Sequence, residues 1–405
     1  MQTSLTKAFK NSALGEEADN ILRACVHCGF CTATCPTYQI SGDELDSPRG
    51  RIYLVKQLLE GNEVSTKTQL HLDRCLTCRA CETTCPSGVR YARLLEIGRQ
   101  LVEEQVPRNI TERSLRKLLR MTLPYPKRIK PLIALAQLFK PLLPKRLSVN
   151  IPINQDSPPY PLAKHQRNML VLEGCAQSVM TPATNRAATK VLDRLGITVL
   201  SAPDAGCCGA LSLHLSAQEE SFGFMRRNID AWWPYIEQGS EAIIITASGC
   251  GTTVKEYGHL LKDDSRYAEK AARVSALAKD LSEVIAAQPL DVLNIRGRGR
   301  TVAFQSPCSL QHGQQLNGTI EGILAGLGYQ LTPVPDDHLC CGSAGTYSIL
   351  QREWSHKLRE NRVNALESGG ASIIATANIG CQLHIKAATE VPVVHWIELL
   401  AEGLE

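Results

Sequence analysis

The 405-residue sequence contains no run of about 18 uncharged apolar residues, the length a helix needs to cross a bilayer. Its opening stretch, MQTSLTKAFKNSALGEEADN, holds no apolar h-region, so no export signal is expected. It also lacks a G-x-G-x-x-G fingerprint. The GRGR at 297–300 has neither that pattern nor a strand-to-helix setting, so no flavin or substrate pocket is assigned to this chain, and no catalytic residue. Neither sign of charge dominates: 44 Lys and Arg face 40 Asp and Glu. With 43% hydrophobic and 21% charged residues the balance is globular, and the length suffices for two or three domains with real cores.

Against these absences stand sixteen cysteines. In a reducing compartment structural disulfides are disfavoured, so the thiols are expected to be metal ligands or redox groups. They sort into four sets of four with none left over: 25, 28, 31, 35; 75, 78, 81, 85; 175, 207, 208, 250; and 308, 340, 341, 381.

The first two sets, CVHCGFCTATCP and CLTCRACETTCP, both read C-x2-C-x2-C-x3-C-P. Three thiolates at this spacing wrap a loop around one compact cluster, and in two-cluster ferredoxins the fourth ligates the other cluster. That rule assigns Cys25, Cys28, Cys31 and Cys85 to one [4Fe–4S] cluster, and Cys75, Cys78, Cys81 and Cys35 to a second. Structural zinc, the plainer alternative, usually takes two separated ligand pairs. Pro36 and Pro86 keep a helix from running through the last ligand, and Gly29 allows close backbone approach. Between the motifs, SPRGRIYLVKQLLEGNEV predicts a helix starting near Pro48 with Ile52, Leu54, Val55, Leu58 and Leu59 on its apolar face. Asp43, Glu44, Arg49 and Arg51 are expected to be solvated or docking charges.

Residues 107–147 carry eleven Lys or Arg and one acid, Glu112. That is +10 in a chain totalling +4, leaving −6 for the remainder. Leu115, Leu118, Leu119, Ile129, Leu132, Ile133, Leu138 and Phe139 make the segment amphipathic, with Pro131 starting a short helix and Pro141 and Pro144 ending it. The segment suits either an anionic membrane surface or a linker packed on its neighbours. Nucleic acid is not expected as a partner, since only Tyr125 and Phe139 are there to stack on bases. Pro152, Pro158, Pro159 and Pro161 predict an irregular connection onward.

The C-terminal half repeats itself. A short apolar strand runs into Cys175 or Cys308; a helical stretch stops at Gly196 or Gly328; a second strand leads to Cys207-Cys208-Gly209 or Cys340-Cys341-Gly342. The spacing from first cysteine to pair is 32 in both copies. EAIIITASGC and ASIIATANIGC then end in Cys250 and Cys381. Alternating strands and helices predict two α/β units with mainly parallel sheets, their cysteines at carboxyl ends of strands where such folds build sites. These eight thiols are candidates for a metal or redox role, with inert buried thiols as the alternative.

CCG repeats behind a two-cluster ferredoxin domain resemble the family of heterodisulfide reductase subunits, the anaerobic glycerol-3-phosphate dehydrogenase iron–sulfur subunit and lactate-utilisation proteins. The strings LEGCAQ, NIDAWWP, TASGCGTTVKEYG, HLCCGSAGTY and TANIGCQLH are most similar to iron–sulfur subunits of bacterial glycolate oxidases. The resemblance implies an electron-transfer subunit of a complex oxidising glycolate to glyoxylate. Flavin (FAD) would sit on partner subunits and a quinone or other acceptor would take the electrons. It also implies a cytoplasmic chain, peripheral on the inner face of the membrane. Electron transfer for lactate or glycerol-3-phosphate dehydrogenation, or a thiol–disulfide enzyme, are the alternatives. One departure concerns the CCG motif, which in the wider family ends in C-x2-C. Here Ala247 and Asn378 precede the late cysteines by three, and Thr253 and His384 follow by three. The overall expectation is an α+β chain. It comprises a helix-rich ferredoxin-type domain (1–106), a basic amphipathic linker (107–167) and two α/β CCG repeats (168–290 and 291–405).

Overall fold

The computed structural model describes residues 1–140, 164–295, 297 and 299–404. Pro141, Pro144, Pro152, Pro158, Pro159 and Pro161, expected to end a helix and form an irregular connection, lie outside the described residues. The chain divides into two compact units, Met1–Arg116 with His338–Arg362, and Lys117–Asp337 with Val363–Glu405.

The first unit is built of helices. Ser47 caps the helix Pro48–Leu59 by accepting from Gly50 N–H, with Pro48 at the first helical position. That helix and the helices Ala13–Ala24 and Tyr91–Gln105 bury Leu22, Val55, Leu58, Leu94, Leu95 and Ile97 in one core. Gly98 allows the close approach: a Cβ there would stand 2.4 Å from Val55 Cγ2.

The second unit contains two four-stranded sheets, every pairing parallel. Strands β1 (Arg167–Leu172), β2 (Ile197–Ser201), β3 (Ile243–Ile245) and β4 (Ala278–Asp280) lie in the order β2-β1-β3-β4. Strands β5 (Thr301–Gln305), β6 (Gln330–Leu331), β7 (Ile373–Thr376) and β8 (Val393–His395) repeat it as β6-β5-β7-β8. Runs such as Ile243–Ile245 are apolar throughout because helices cover both faces. Gly196 and Gly328, with φ of 75° and 84°, close the helices Pro182–Arg194 and Thr319–Gly326.

The duplication is also visible in how the repeats pack. Helix Pro182–Arg194 of the first repeat rests on Trp396–Gly403 of the second, and Leu281–Ala286 of the first rests on Thr319–Gly326 of the second. Pro182–Arg194 and Thr319–Gly326 each follow the first strand of their repeat, and Leu281–Ala286 and Trp396–Gly403 each follow the fourth, so the two contacts exchange under a pseudo-two-fold rotation. Val191, Leu192, Leu281, Ile285, Ile320, Leu324, Trp396 and Leu400 share one apolar core across it.

The basic segment departs from expectation in two ways. Its second helix runs Pro126–Leu138, with Pro126 at the first position and Pro131 in the interior rather than at the start. Pro131 stands in the second turn, where it leaves the Lys127 carbonyl without its i→i−4 donor. In the helix Ile110–Thr122 the buried positions include Arg116 as well as Leu119, while Leu118 and Met121 are exposed. Arg116 and Arg108 turn inward because both pair with Asp73, at 3.0 and 2.7 Å.

Candidate metal centres

The two cysteine runs fold into matching loops. His27 and Thr77 share φ of 56°, and Gly29 and Arg79 have φ of 88° and 63°. Arg79 therefore holds, with a side chain, the left-handed conformation that glycine adopts freely in the first loop, a cost tolerated at functional loops. Thr34 Oγ1 donates to the Ala80 carbonyl at 3.3 Å and ties the loops together.

Between these loops lie two cavities. Cys25, Cys28, Cys31 and Cys85 line the first with Pro86; Cys35, Cys75 and Cys78 line the second with Pro36; Cys81 borders both. Cys81 interacts most closely with Cys78, Cys75 and Cys35, and Cys25 with Cys85 and Cys28. Each motif thus sends its fourth cysteine to the other motif's cavity. Burial and the neighbouring Cys25 push the Cys31 thiol up to about 11. Burial, then Cys78, Cys75 and Cys35, push Cys81 well above the usual thiol range. Thiolates this crowded repel one another, so their deprotonation calls for a positive centre among them, as a metal cluster provides. All the cysteines are free thiols, and eight soft donors in two sets of four fit two [4Fe–4S] clusters.

Arg51 corrects an expectation. It is not a solvated charge but is 1% exposed, on the inward face of its helix with Val55 and Leu58. It donates to the His71 carbonyl at 2.7 Å, to Thr37 Oγ1 at 3.0 Å and to Asp46 Oδ1 at 3.2 Å. Asp46, itself fully buried, also binds Arg74 Nη1 at 3.0 Å and His71 Nδ1 at 3.0 Å. Burial disfavours the Arg51 charge, but the acidic groups around it, the Asp46 carboxylate among them, outweigh burial and hold it protonated. The three-to-four-residue spacing of Arg51, Val55 and Leu58 was the available sign that this arginine faces inward. Nothing in the sequence pointed to Asp46 or Tyr91.

The third set comes together at the carboxyl ends of β1, β2 and β3. Cys175 follows β1, Cys207 and Cys208 follow β2, and Cys250 is the third residue of the helix Ser248–Lys255 after β3. The four thiols are grouped closely enough to act on one another in turn, Cys175 on Cys207, Cys207 on Cys208 and Cys208 on Cys250. The contact with Cys207, then burial, pushes Cys175 far up. Cys207 is also raised: the influences of Cys175 and Cys208 pull in opposite directions, and burial adds to the upward one. Gly209, at φ 91°, turns the chain after the pair, and its carbonyl accepts from Ser221 Oγ at 3.0 Å. Asn228 and Tyr257 hold the Cys207 and Cys208 carbonyls at 2.9 and 2.8 Å.

In the second repeat Gly342, at φ 87°, occupies the place of Gly209, and Ser355 Oγ donates to its carbonyl at 2.8 Å as Ser221 does in the first. Cys308 and Cys381 belong to the second unit, whereas Cys340 and Cys341 belong to the first. Asn378, where the wider motif has a thiol, donates to Cys381 Sγ at 3.7 Å. His384 is half-buried in the last turn of the helix Ile379–Lys386.

Comparison with known proteins agrees with this layout. The 4Fe-4S dicluster domain family matches residues 21–89, and the cysteine-rich domain family matches twice, at 169–255 and 302–386. The glycolate oxidase iron–sulfur subunit of Escherichia coli (strain K12) is 56% identical over 100% of both chains. The probable glycolate oxidase iron–sulfur subunit of Bacillus subtilis (strain 168) is 32% identical, covering 98% of this chain and 97% of its own. Lactate utilization protein A of the same Bacillus is 26% identical over 56% of this chain and 95% of its own.

Proposed function

Since the chain belongs to the family of glycolate oxidase iron–sulfur subunits, we propose that it carries electrons within a complex that oxidises glycolate to glyoxylate. Flavin-bearing partner subunits supply the electrons, and a quinone takes them up. Cys25, Cys28, Cys31 and Cys85 hold one [4Fe–4S] cluster, and Cys35, Cys75, Cys78 and Cys81 the other. The crossed lining of the two cavities carries this assignment. When bound, such clusters accept and release single electrons. The chain's own residues hold the thiolates in place, exclude water from the Cys35 side and keep the two sets adjacent through Cys81. Cys175, Cys207, Cys208 and Cys250 are assigned a soft-metal or redox role, supported by their grouping at the carboxyl ends of β1, β2 and β3. Cys308, Cys340, Cys341 and Cys381 are assigned the same role by duplication.

Peripheral attachment to an anionic membrane completes the proposal. No helix among the described residues is long and apolar enough to cross a membrane. The helices Ile110–Thr122 and Pro126–Leu138 instead expose Leu118, Met121, Leu132, Leu135 and Leu138 beside Lys117, Lys127 and Lys130.

Anaerobically purified chain should contain about eight iron and eight sulfide, four per cluster. With clusters in place it should oxidise glycolate only when flavoprotein partners are added, using an artificial acceptor. Turnover by the flavin-free chain alone, or a colourless zinc-loaded protein, would sink the proposal.

A further inference from the structure

The two cavities of the first unit sit in different electrostatic surroundings. The loop around the first is open: Cys28 is exposed, as are Val26 at 67% and Phe30 at 60%. Two cations flank it: Arg49, which is partly exposed and already paired with the Glu44 carboxylate, and the half-exposed N-terminal ammonium, which donates to the Cys25 carbonyl at 2.9 Å. At the second, Cys35, Cys75, Cys78 and Cys81 are all buried, and Arg51 is part of the lining.

Asp46 faces both Arg51 and Arg74, so one carboxylate meets two guanidinium groups and a net positive charge remains. Arg74 is further held over the Trp354 ring at 4.7 Å. Two donors touch the sulfurs: Tyr91 OH and Thr77 N–H donate to Cys75 Sγ at 3.5 and 3.4 Å. Thr37 Oγ1 lies 3.3 Å from Cys35 Sγ, but it gives its proton to the Asp46 carbonyl and accepts from Arg51, so it serves to anchor the arginine.

Burial alone makes a cluster harder to reduce, because the added electron brings negative charge into a medium of low dielectric constant. A buried cation and hydrogen bonds to the sulfurs act the other way. The same low dielectric that penalises the electron magnifies its attraction to Arg51, whereas the Arg49–Glu44 pair and the half-exposed N-terminal ammonium are screened by water. We propose that Arg51, anchored by Asp46, makes the buried centre at Cys35, Cys75, Cys78 and Cys81 the more readily reduced of the two. An electron entering at the exposed centre therefore comes to rest at the buried one. In that step one centre loses one electron, the other gains it, and no bond or proton changes place. The inference rests on the cluster assignment proposed above.

A redox titration of the anaerobically purified full chain, followed by electron paramagnetic resonance, tests it once iron content is known. Two midpoint potentials are expected, and Cys35→Ser should remove the signal belonging to the higher one. Arg51→Gln should lower that higher midpoint by at least about 59 mV, a tenfold shift in the electron's distribution, and leave the other in place. Tyr91→Phe, which leaves the charge network intact and removes one sulfur hydrogen bond, should move the same midpoint in the same direction by less. It serves also if Arg51→Gln does not fold. About eight iron per chain with both midpoints unmoved in the variants, or a higher midpoint that survives Cys35→Ser, overturns the inference alone. Iron well below eight, or a single signal, overturns the cluster assignment and the inference with it.

Discussion

His395, at the end of β8 in the second repeat, donates from Nε2 to the carbonyl oxygen of Thr246, just beyond β3 in the first, at 2.9 Å. Its Nδ1 accepts from Ile397 N–H at 3.3 Å, so the neutral ring is satisfied on both sides. A second proton would set N–H against N–H inside the core. Burial lowers the His395 pKa to about 4, outweighing the carbonyl groups of Thr246 and Ala377, which pull it upward.

This gives stability a defined pH dependence. The folded-state pKa is below the unfolded value of roughly 6.5, so the contribution is complete above that value and is lost as pH falls toward 4. By pH ~5 the loss should be on the order of 2 kcal/mol. Urea midpoints at pH 7 and pH 5 should separate the native chain from His395→Gln, the variant changing less between them. Equal changes in both proteins would show that His395 does not titrate as argued.

The close approach at Gly98 should be intolerant of a methyl group. Alanine favours the helix by ~1 kcal/mol, but the added Cβ would meet Val55 Cγ2 at 2.4 Å, and a buried valine has little room to turn. Net destabilisation of ~1–3 kcal/mol is expected for Gly98→Ala, visible as earlier loss of cluster absorbance in urea. Val55→Ala on the same background should recover part of it. An unchanged midpoint for the single variant would contradict the packing described.

The crossed fourth ligands make a prediction that an uncrossed arrangement would reverse. Cys85→Ser should degrade the spectrum of the cluster held by Cys25, Cys28 and Cys31 more than that of the cluster held by its own motif. Selective loss of the cluster at Cys75, Cys78 and Cys81 would show that each motif keeps its own fourth thiol.

Membrane association should depend on those basic residues not already engaged within the protein. Arg108 and Arg116 are bound to Asp73, Arg120 stands 3.5 Å from Glu220, and Arg128 lies over the Tyr125 ring at 4.2 Å. Reversing Lys117, Lys127, Lys130 and Lys140 to Glu should therefore weaken co-sedimentation with anionic vesicles more than reversing Arg120 and Arg128. Binding of the unaltered chain should fall as salt rises. Equal binding to neutral and anionic vesicles would favour a linker packed on its neighbours.

Much of this protein can be read locally. Ligand spacing within a loop, the stop at Gly196 or Gly328 and an apolar run that can only be a covered strand are short-range constraints, and residues a few positions apart express them. The doubled cysteine runs, the duplicated α/β units and their parallel strands follow from such constraints, as does the membership of the ferredoxin-type and cysteine-rich families. Other features are decided by where distant segments meet. Arg51 looks like any helical arginine until Asp46, Arg74 and His71 close around it. Arg116 belongs by composition to a basic surface, yet Asp73 draws it inward. The segment His338–Arg362, continuous in sequence with the second repeat, belongs by its contacts to the first unit, where Tyr347 lies close to Arg51 and Cys75. The physical reason is the same each time. A side chain's type and spacing set what it can bind, but whether its charge is solvated or buried depends on partners brought from elsewhere in the chain, and only the folded arrangement supplies them.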